Sequence, residues 1–167
     1  MPLILVGGGS RSGKSSFALQ LARERGTRRA FVATAQAFDQ EMTERIARHQ
    51  AERDHAFTTV EEPLDVAGVI SRSDCDVLLI DCLTLWVSNL MMQEEPDIDA
   101  KGAELVRVAA ASKVLCIFVT NEAGCGVVPD NPMARRFRDL AGRLNQEMAK
   151  AAQEVYFLTF GIPTKLK

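Results

Sequence analysis

Histidine, tryptophan and tyrosine are scarce in this sequence: of 167 residues, two are His, one is Trp and one is Tyr. Four cysteines occur, at Cys75, Cys82, Cys116 and Cys125, with no Cys-x-x-Cys pair among them. So few histidines and such spacing exclude a Cys/His zinc framework. Two of the cysteines sit in or at the end of runs that read as buried strands, so packed, reduced thiols in a cytoplasmic setting are expected. No excess of one charge is present either. Twenty basic residues against 22 acidic ones leave a net charge of −2, which argues against a general nucleic-acid or membrane-surface binder. An anionic ligand must then be held by a local positive site. No apolar run is long enough to span a bilayer, and the start, Met1-Pro2-Leu3-Ile4-Leu5-Val6-Gly7, has no basic segment before its short apolar run. Neither a signal peptide nor a membrane anchor is expected. Internal repeats and low-complexity segments are missing, and the most linker-like stretch, 93–99, is short. Residues 1–167 are therefore read as one domain.

What is present is an ordinary globular composition, 47% hydrophobic and 25% charged, arranged as short apolar runs alternating with helical patterns. Strands are expected at 3–6, 29–34, 57–60, 77–80, 113–119 and 155–160. Helices are expected at 15–25, 38–54, from Pro63 to about residue 71, and at 83–92, 98–111 and 132–152. The run at 77–80 is wholly apolar and bounded by acids, as a central parallel strand covered on both faces would be. The alternation predicts an α/β fold: a mainly parallel sheet with helices on both faces. Strand order is not readable from these patterns.

The most informative segment is Gly8-Gly9-Ser10-Arg11-Ser12-Gly13-Lys14-Ser15, which satisfies GxxxxGK[ST] in full. Glycines let the backbone curl so that successive N–H groups face one anion. The helix that follows adds uncapped amides and its positive dipole end. Lys14 can reach the β- and γ-phosphates, and the Ser15 hydroxyl can ligate Mg²⁺. The motif follows an apolar run and opens a helical pattern, as the mechanism requires, so the expected α/β domain is of the P-loop NTPase kind. A partner acid is expected at the end of another buried strand. Asp81, after Val77-Leu78-Leu79-Ile80, fits either as a second Mg²⁺ ligand or as a cap of the next helix.

His49 shares a helix side with Phe38, Met42 and Ile46, with Arg45 and Arg53 four residues before and after it. Two readings are open. One is a half-buried histidine at the edge of an apolar stripe. The other is a nucleophile, whose pKa the neighbouring guanidinium groups lower while they also bind the phosphates under attack. Arg135, Arg136, Arg138 and Arg143 crowd the last helix. They read either as a solvated face with Arg135–Asp139 and Arg143–Glu147 pairs, or as a contact surface for phosphate or a neighbouring subunit. Asn121 is followed by Glu122 rather than lysine, which speaks against the guanine-reading motif of a GTPase switch.

Taken in order, these segments resemble the bifunctional adenosylcobinamide kinase/adenosylcobinamide-phosphate guanylyltransferase family of cobalamin biosynthesis. The resemblance runs through the phosphate loop with Arg11 inside it, Val32-Ala33-Thr34-Ala35, Arg45-Ile46-Ala47-Arg48-His49, Thr59-Val60-Glu61 and Leu79-Ile80-Asp81-Cys82-Leu83-Thr84. It continues through Val119-Thr120-Asn121-Glu122-Ala123-Gly124, Ala134-Arg135-Arg136-Phe137, Gly142-Arg143-Leu144-Asn145-Gln146 and Gly161-Ile162-Pro163. It implies that His49 carries GMP as a phosphoramidate. It also implies that the loop residues, Ala33, Thr34, Ala35, Gln50, Ala51, Glu52, Arg53, Glu61 and Asp81 contact nucleotide. Some relatives carry Glu at the position of Asp81, and some have two adjacent histidines where this chain has Arg48-His49.

Two reactions follow from the resemblance. ATP or GTP phosphorylates adenosylcobinamide, and GMP then passes from GTP through His49 to the phosphate, giving adenosylcobinamide-GDP. One loop must then serve chemistry at both the α- and γ-phosphorus, which implies that the His49 helix moves relative to it. The resemblance also implies a homo-oligomer, a ring-like trimer among relatives. The rival reading is a P-loop kinase for another small metabolite, which leaves His49 without a task.

Overall fold

The apolar runs form the middle of a seven-stranded sheet. The computed structural model describes residues 3–36 and 56–167. In chain order the elements are β1 (Leu3–Gly8), α1 (Lys14–Arg25), β2 (Arg29–Ala33), β3 (Thr58–Glu61), α2 (Val66–Arg72) and β4 (Val77–Asp81). They continue with α3 (Leu83–Met92), α4 (Ile98–Ala111), β5 (Leu115–Val119), α5 (Pro132–Ala151), β6 (Glu154–Thr159) and β7 (Ile162–Lys165). The helix expected at 38–54 lies outside the described residues.

The strand order is β3-β2-β4-β5-β1-β6-β7. Every neighbouring pair is parallel except β6 and β7. Strand side chains alternate between two cores, as a period of two requires. Leu3, Leu5, Leu78, Ile80, Cys116 and Phe118 face the apolar sides of α2 to α5. Ile4, Val6, Leu79, Ile117 and Val119 pack against Ala18, Leu19, Leu21 and Ala22 of α1. Helices thus cover both faces, and the central strands are buried on both, which is why they read as unbroken apolar runs.

Capping fixes where the helices begin. Asp97 accepts from Ala100 N at 2.8 Å to open α4. Asn131 accepts from Met133 N and Ala134 N to open α5, with Pro132 in its first turn. The second described helix begins later than Pro63 suggested. Glu62 accepts from the amides of Leu64 and Asp65, holding those residues in a turn, and Asp65 then caps Gly68 N at 3.0 Å.

Two further features differ from the sequence reading. Residues 162–165 form an antiparallel edge strand that no sequence pattern indicated. The Arg135–Asp139 and Arg143–Glu147 pairs do not form. Arg143 makes a two-pronged bond to Asp99 of α4 at 3.0 Å on each prong, and Arg135 donates to the carbonyls of Pro129 and Asp130. A carboxylate on a packed neighbouring helix meets both guanidinium nitrogens in plane, which a residue one turn along the same helix cannot do as well.

Candidate functional site

Parallel strands bring their carboxyl ends to one edge of the sheet, and most sequence-selected residues lie there. Gly8 ends β1. The register aligns Glu61, Ala33, Asp81, Val119 and Val6 in one row across β3, β2, β4, β5 and β1. The phosphate-loop residues, Ala33, Ala35, Glu61 and Asp81 therefore share this edge. His49 and the adjacent Gln50, Ala51, Glu52 and Arg53 lie outside the described residues.

The loop has the curvature its glycines predict. Gly8 has φ 153°, Arg11 φ 57° and Gly13 φ 88°. A Cβ on Gly8 would stand 2.6 Å from Ser12 Oγ and 2.8 Å from the Leu158 carbonyl, so a side chain is barred there by contact as well as by torsion. Around Gly9 a Cβ meets nothing within 4 Å. Ser12 N donates to Gly9 O at 3.3 Å, closing the turn. Gly13 starts α1 without a side-chain cap, and no acid occupies the first turn. The first amides of α1 are thus left for an anion, favoured by the dipole. Lys14 is buried at 8% exposure and donates to Gly9 O at 3.1 Å. Ser12 Oγ is buried with no hydrogen-bond partner among the described residues, the situation of a donor suited to a phosphate oxygen. Ser10 and Arg11 are exposed, and Ser15 is half-buried in the first turn of α1.

Behind this edge lies a polar network that sequence reading missed. Thr34 is fully buried. Its hydroxyl accepts from Cys82 N at 2.7 Å and donates to Cys82 O at 2.9 Å. Its amide donates to Asp81 O at 3.2 Å, and its carbonyl accepts from Asn89 Nδ2 at 2.7 Å. All the polar groups of Thr34 are engaged within the protein, so it fixes the shape of the edge, with the half-buried Ala33 and Ala35 on either side of it. Asn121 Nδ2 donates to Thr84 Oγ1 at 2.9 Å, and Thr84 Oγ1 lies 3.1 Å from Cys82 Sγ. Thr120 Oγ1 donates to Asn145 Oδ1 at 2.7 Å, and Asn145 Nδ2 donates to Asn121 O. Glu122 N bonds the Gly8 carbonyl at 3.1 Å. The network fixes the ends of β2, β4 and β5 to one another and to the phosphate loop. Its sequence signal was available: Thr84 and Asn89 are polar residues buried in a largely apolar helix.

Trp86 closes the rear of the edge, 2% exposed, with its indole N–H donating to Leu64 O at 2.7 Å. Burial, reinforced by the nearby Asp81 charge, pushes the Cys82 thiol up to about 11. Burial pushes Cys116 up to about 12. Both are inert thiols. Cys75 is half-buried and Cys125 is exposed, so the packed setting expected of the thiols holds for Cys82 and Cys116 but not for Cys125. Among the described residues, no three His, Cys, Asp or Glu side chains cluster in a metal cage. A hard cation held by one hydroxyl, one carboxylate and the ligand's own phosphates needs no such cage, and Ser15 and Asp81 are oxygen donors of that kind.

Comparison with known proteins agrees with this architecture. Two solved structures share the fold at low identity. The RadB recombinase has a TM-score of 0.56 and 16% identity, covering 93% of this chain and 73% of its own. A prototypical ATPase from the type III secretion system of pathogenic bacteria has a TM-score of 0.59 and 13% identity, covering 95% and 51%. Closer in sequence is the bifunctional adenosylcobalamin biosynthesis protein CobP of Pseudomonas aeruginosa, 42% identical over 98% of this chain and 96% of its own length. The bifunctional adenosylcobalamin biosynthesis protein CobU of Escherichia coli is 36% identical over 99% of both. The model of the cobinamide kinase / cobinamide phosphate guanyltransferase family matches residues 4–166. The chain is therefore a member of the cobinamide kinase / cobinamide phosphate guanyltransferase family.

Proposed function

We propose that this protein catalyses two successive transfers to a corrinoid. In the first, the hydroxyl of the aminopropanol arm of adenosylcobinamide attacks the γ-phosphorus of ATP or GTP, and nucleoside diphosphate leaves. Lys14 and the loop amides bind the charge that spreads over the transferred group. In the second, an imidazole nitrogen of His49 attacks the α-phosphorus of GTP and pyrophosphate leaves. A phosphate oxygen of adenosylcobinamide phosphate then attacks the same phosphorus. The P–N bond to His49 breaks and adenosylcobinamide-GDP forms, a covalent route with ping-pong behaviour in this half.

The observation that carries the reading is the phosphate loop itself: left-handed glycines, an uncapped helix start, a buried lysine and a buried serine hydroxyl with no partner among the described residues, all facing one sheet edge. Ser15 and Asp81 would hold Mg²⁺, which when bound neutralises phosphate charge. Gly8, Gly9, Ser10, Arg11, Ser12, Gly13, Ala33, Ala35 and Glu61 line the nucleotide side, and the network through Thr34 holds them in register. The residues after the histidine, Gln50 to Arg53, are assigned to the nucleotide by resemblance, and a homo-oligomer is assigned on the same ground; a cytoplasmic setting rests on the cysteine pattern.

The test is product analysis. The purified protein, Mg²⁺, GTP and adenosylcobinamide should yield adenosylcobinamide phosphate and then adenosylcobinamide-GDP. Accumulation of the phosphate with no GDP adduct would leave a simple kinase. Absence of either product would remove the corrinoid assignment.

A further inference from the structure

The chemistry above makes no use of Asn121, although it stands at the sheet edge where the phosphates are held. β5 lies between β1, which carries the phosphate loop, and β4, which ends in Asp81. Phosphates and metal held by the loop, Lys14, Ser15 and Asp81 lie in that gap, whichever way the nucleoside runs. The ladder of β5 with β1 continues past the last strand residue. Thr120 N donates to Val6 O at 3.0 Å, and Glu122 N to Gly8 O at 3.1 Å. Side chains therefore go on alternating there. Val119 packs on the α1 side, and Thr120 turns to the other side, where it meets Asn145 of α5. Asn121 returns to the α1 side. Val77 and Leu79 place Asp81 on that side too, in a row with Val119. Lys14 opens α1 there, near enough for its charge to act on the Cys82 thiol.

The side chain of Asn121 is half-buried and anchored. Its Nδ2 donates to Thr84 Oγ1 at 2.9 Å, and its backbone carbonyl accepts from Asn145 Nδ2 at 3.3 Å. Its Oδ1 has no partner among the described residues. The next carboxylate, Glu122, folds back to accept from Gly124 N at 2.6 Å. The amide donor of Asn121 is thus engaged by Thr84, and its acceptor is left at the edge. An acceptor gains nothing from a phosphate oxygen and needs a group that carries a proton. In the phosphorylation step that group is the attacking hydroxyl. We propose that Asn121 Oδ1 receives the hydrogen bond of the corrinoid's aminopropanol hydroxyl and aligns its oxygen on the γ-phosphorus. The hydroxyl oxygen forms the new bond to phosphorus, the bond from phosphorus to the β-phosphate oxygen breaks, and nucleoside diphosphate leaves. An amide oxygen is too weak a base to keep the proton, which passes to an oxygen of the transferred phosphoryl group. Alignment of the nucleophile is the contribution of Asn121.

This inference rests on the kinase half of the proposed function, and its test separates the two. Two reactions are followed with the full chain. One is phosphorylation of adenosylcobinamide by ATP or GTP. The other is guanylyl transfer from GTP to supplied adenosylcobinamide phosphate, whose acceptor is a phosphate oxygen. Asn121→Ala should lower kcat of the first about ten- to a hundredfold through lost alignment. Its apparent KM for the nucleotide, and its rate in the second reaction, should stay within about twofold of wild type. Thr84→Val removes the hydroxyl that orients the amide and should slow the first reaction alone, with Thr84→Ser restoring it. That pair reads the same contact should Asn121→Ala not fold. A wild-type rate of phosphorylation in folded Asn121→Ala, or in Thr84→Val, overturns the proposal. So does an equal loss in both reactions, the sign of a disturbed phosphate loop or of a contact to metal-bound water. A wild type that phosphorylates no corrinoid with either nucleotide overturns the kinase reading and this inference with it.

Discussion

Replacing Gly8 by alanine tests the loop geometry without any ligand. The added methyl would meet Ser12 Oγ at 2.6 Å and the Leu158 carbonyl at 2.8 Å. The serine can rotate away, but Leu158 is paired with Gly8 in the β1–β6 ladder, so its carbonyl cannot move without disturbing the sheet. Overpacking of this kind costs about 1–3 kcal/mol, and the φ of 153° adds strain of about 1 kcal/mol for a residue with a Cβ. A total of about 2–4 kcal/mol corresponds to a fall in Tm of about 5–15 °C for a chain of this size. Gly9→Ala is the control. Its Cβ would enter open space, and its stability should stay within about 0.5 kcal/mol of wild type. Thermal unfolding followed by circular dichroism reads both. A Gly8→Ala variant as stable as Gly9→Ala would refute the contact argument.

Three further outcomes follow from the same geometry. Thr34→Val leaves the Cys82 N–H and C=O without their partner, and should lower stability by about 1–3 kcal/mol in chemical denaturation. Glu154 accepts from Arg25, Tyr156 and Lys165, which hold its carboxyl down at about 2 against an ordinary 4.5. A depressed carboxylate stabilises the fold above its unfolded pKa and loses that contribution as pH falls through the folded one. Glu154→Gln should therefore flatten the decline of Tm between about pH 4.5 and 2, measured against wild type. In the native protein at pH 8, a thiol reagent should label Cys125 quickly, while the buried Cys82 and Cys116 react only on unfolding.

Much of the fold is legible in the sequence because its strands are buried on both faces. Runs such as Val77-Leu78-Leu79-Ile80 leave little alternative to a central strand. The phosphate loop is legible because its chemistry demands particular residues at fixed spacing. Strand order is a different matter: which strand lies beside β1 depends on crossovers that no local pattern encodes. Strand β7 escaped notice because Ile162-Pro163-Thr164-Lys165 is four exposed residues with a proline, held by one neighbour at the sheet edge. Of the two readings of the helix-borne arginines, the one with intrahelical pairs fails for a similar reason. Intrahelical spacing proposed Glu147 for Arg143, and packing of α4 against α5 supplied Asp99 instead. Polar residues in an apolar helix, Thr84 and Asn89, signal that a buried polar network exists, but its partners are not legible because they are backbone groups and side chains distant in sequence.

The central claim concerns one imidazole and one phosphorus, and the most direct measurement follows the α-phosphate of GTP. Incubated with GTP labelled at that position, the wild-type protein should acquire an acid-labile, alkali-stable adduct that maps to the peptide containing His49, and His49→Ala should acquire none. Label retained by His49→Ala, or no label on the wild type, would contradict the covalent transfer.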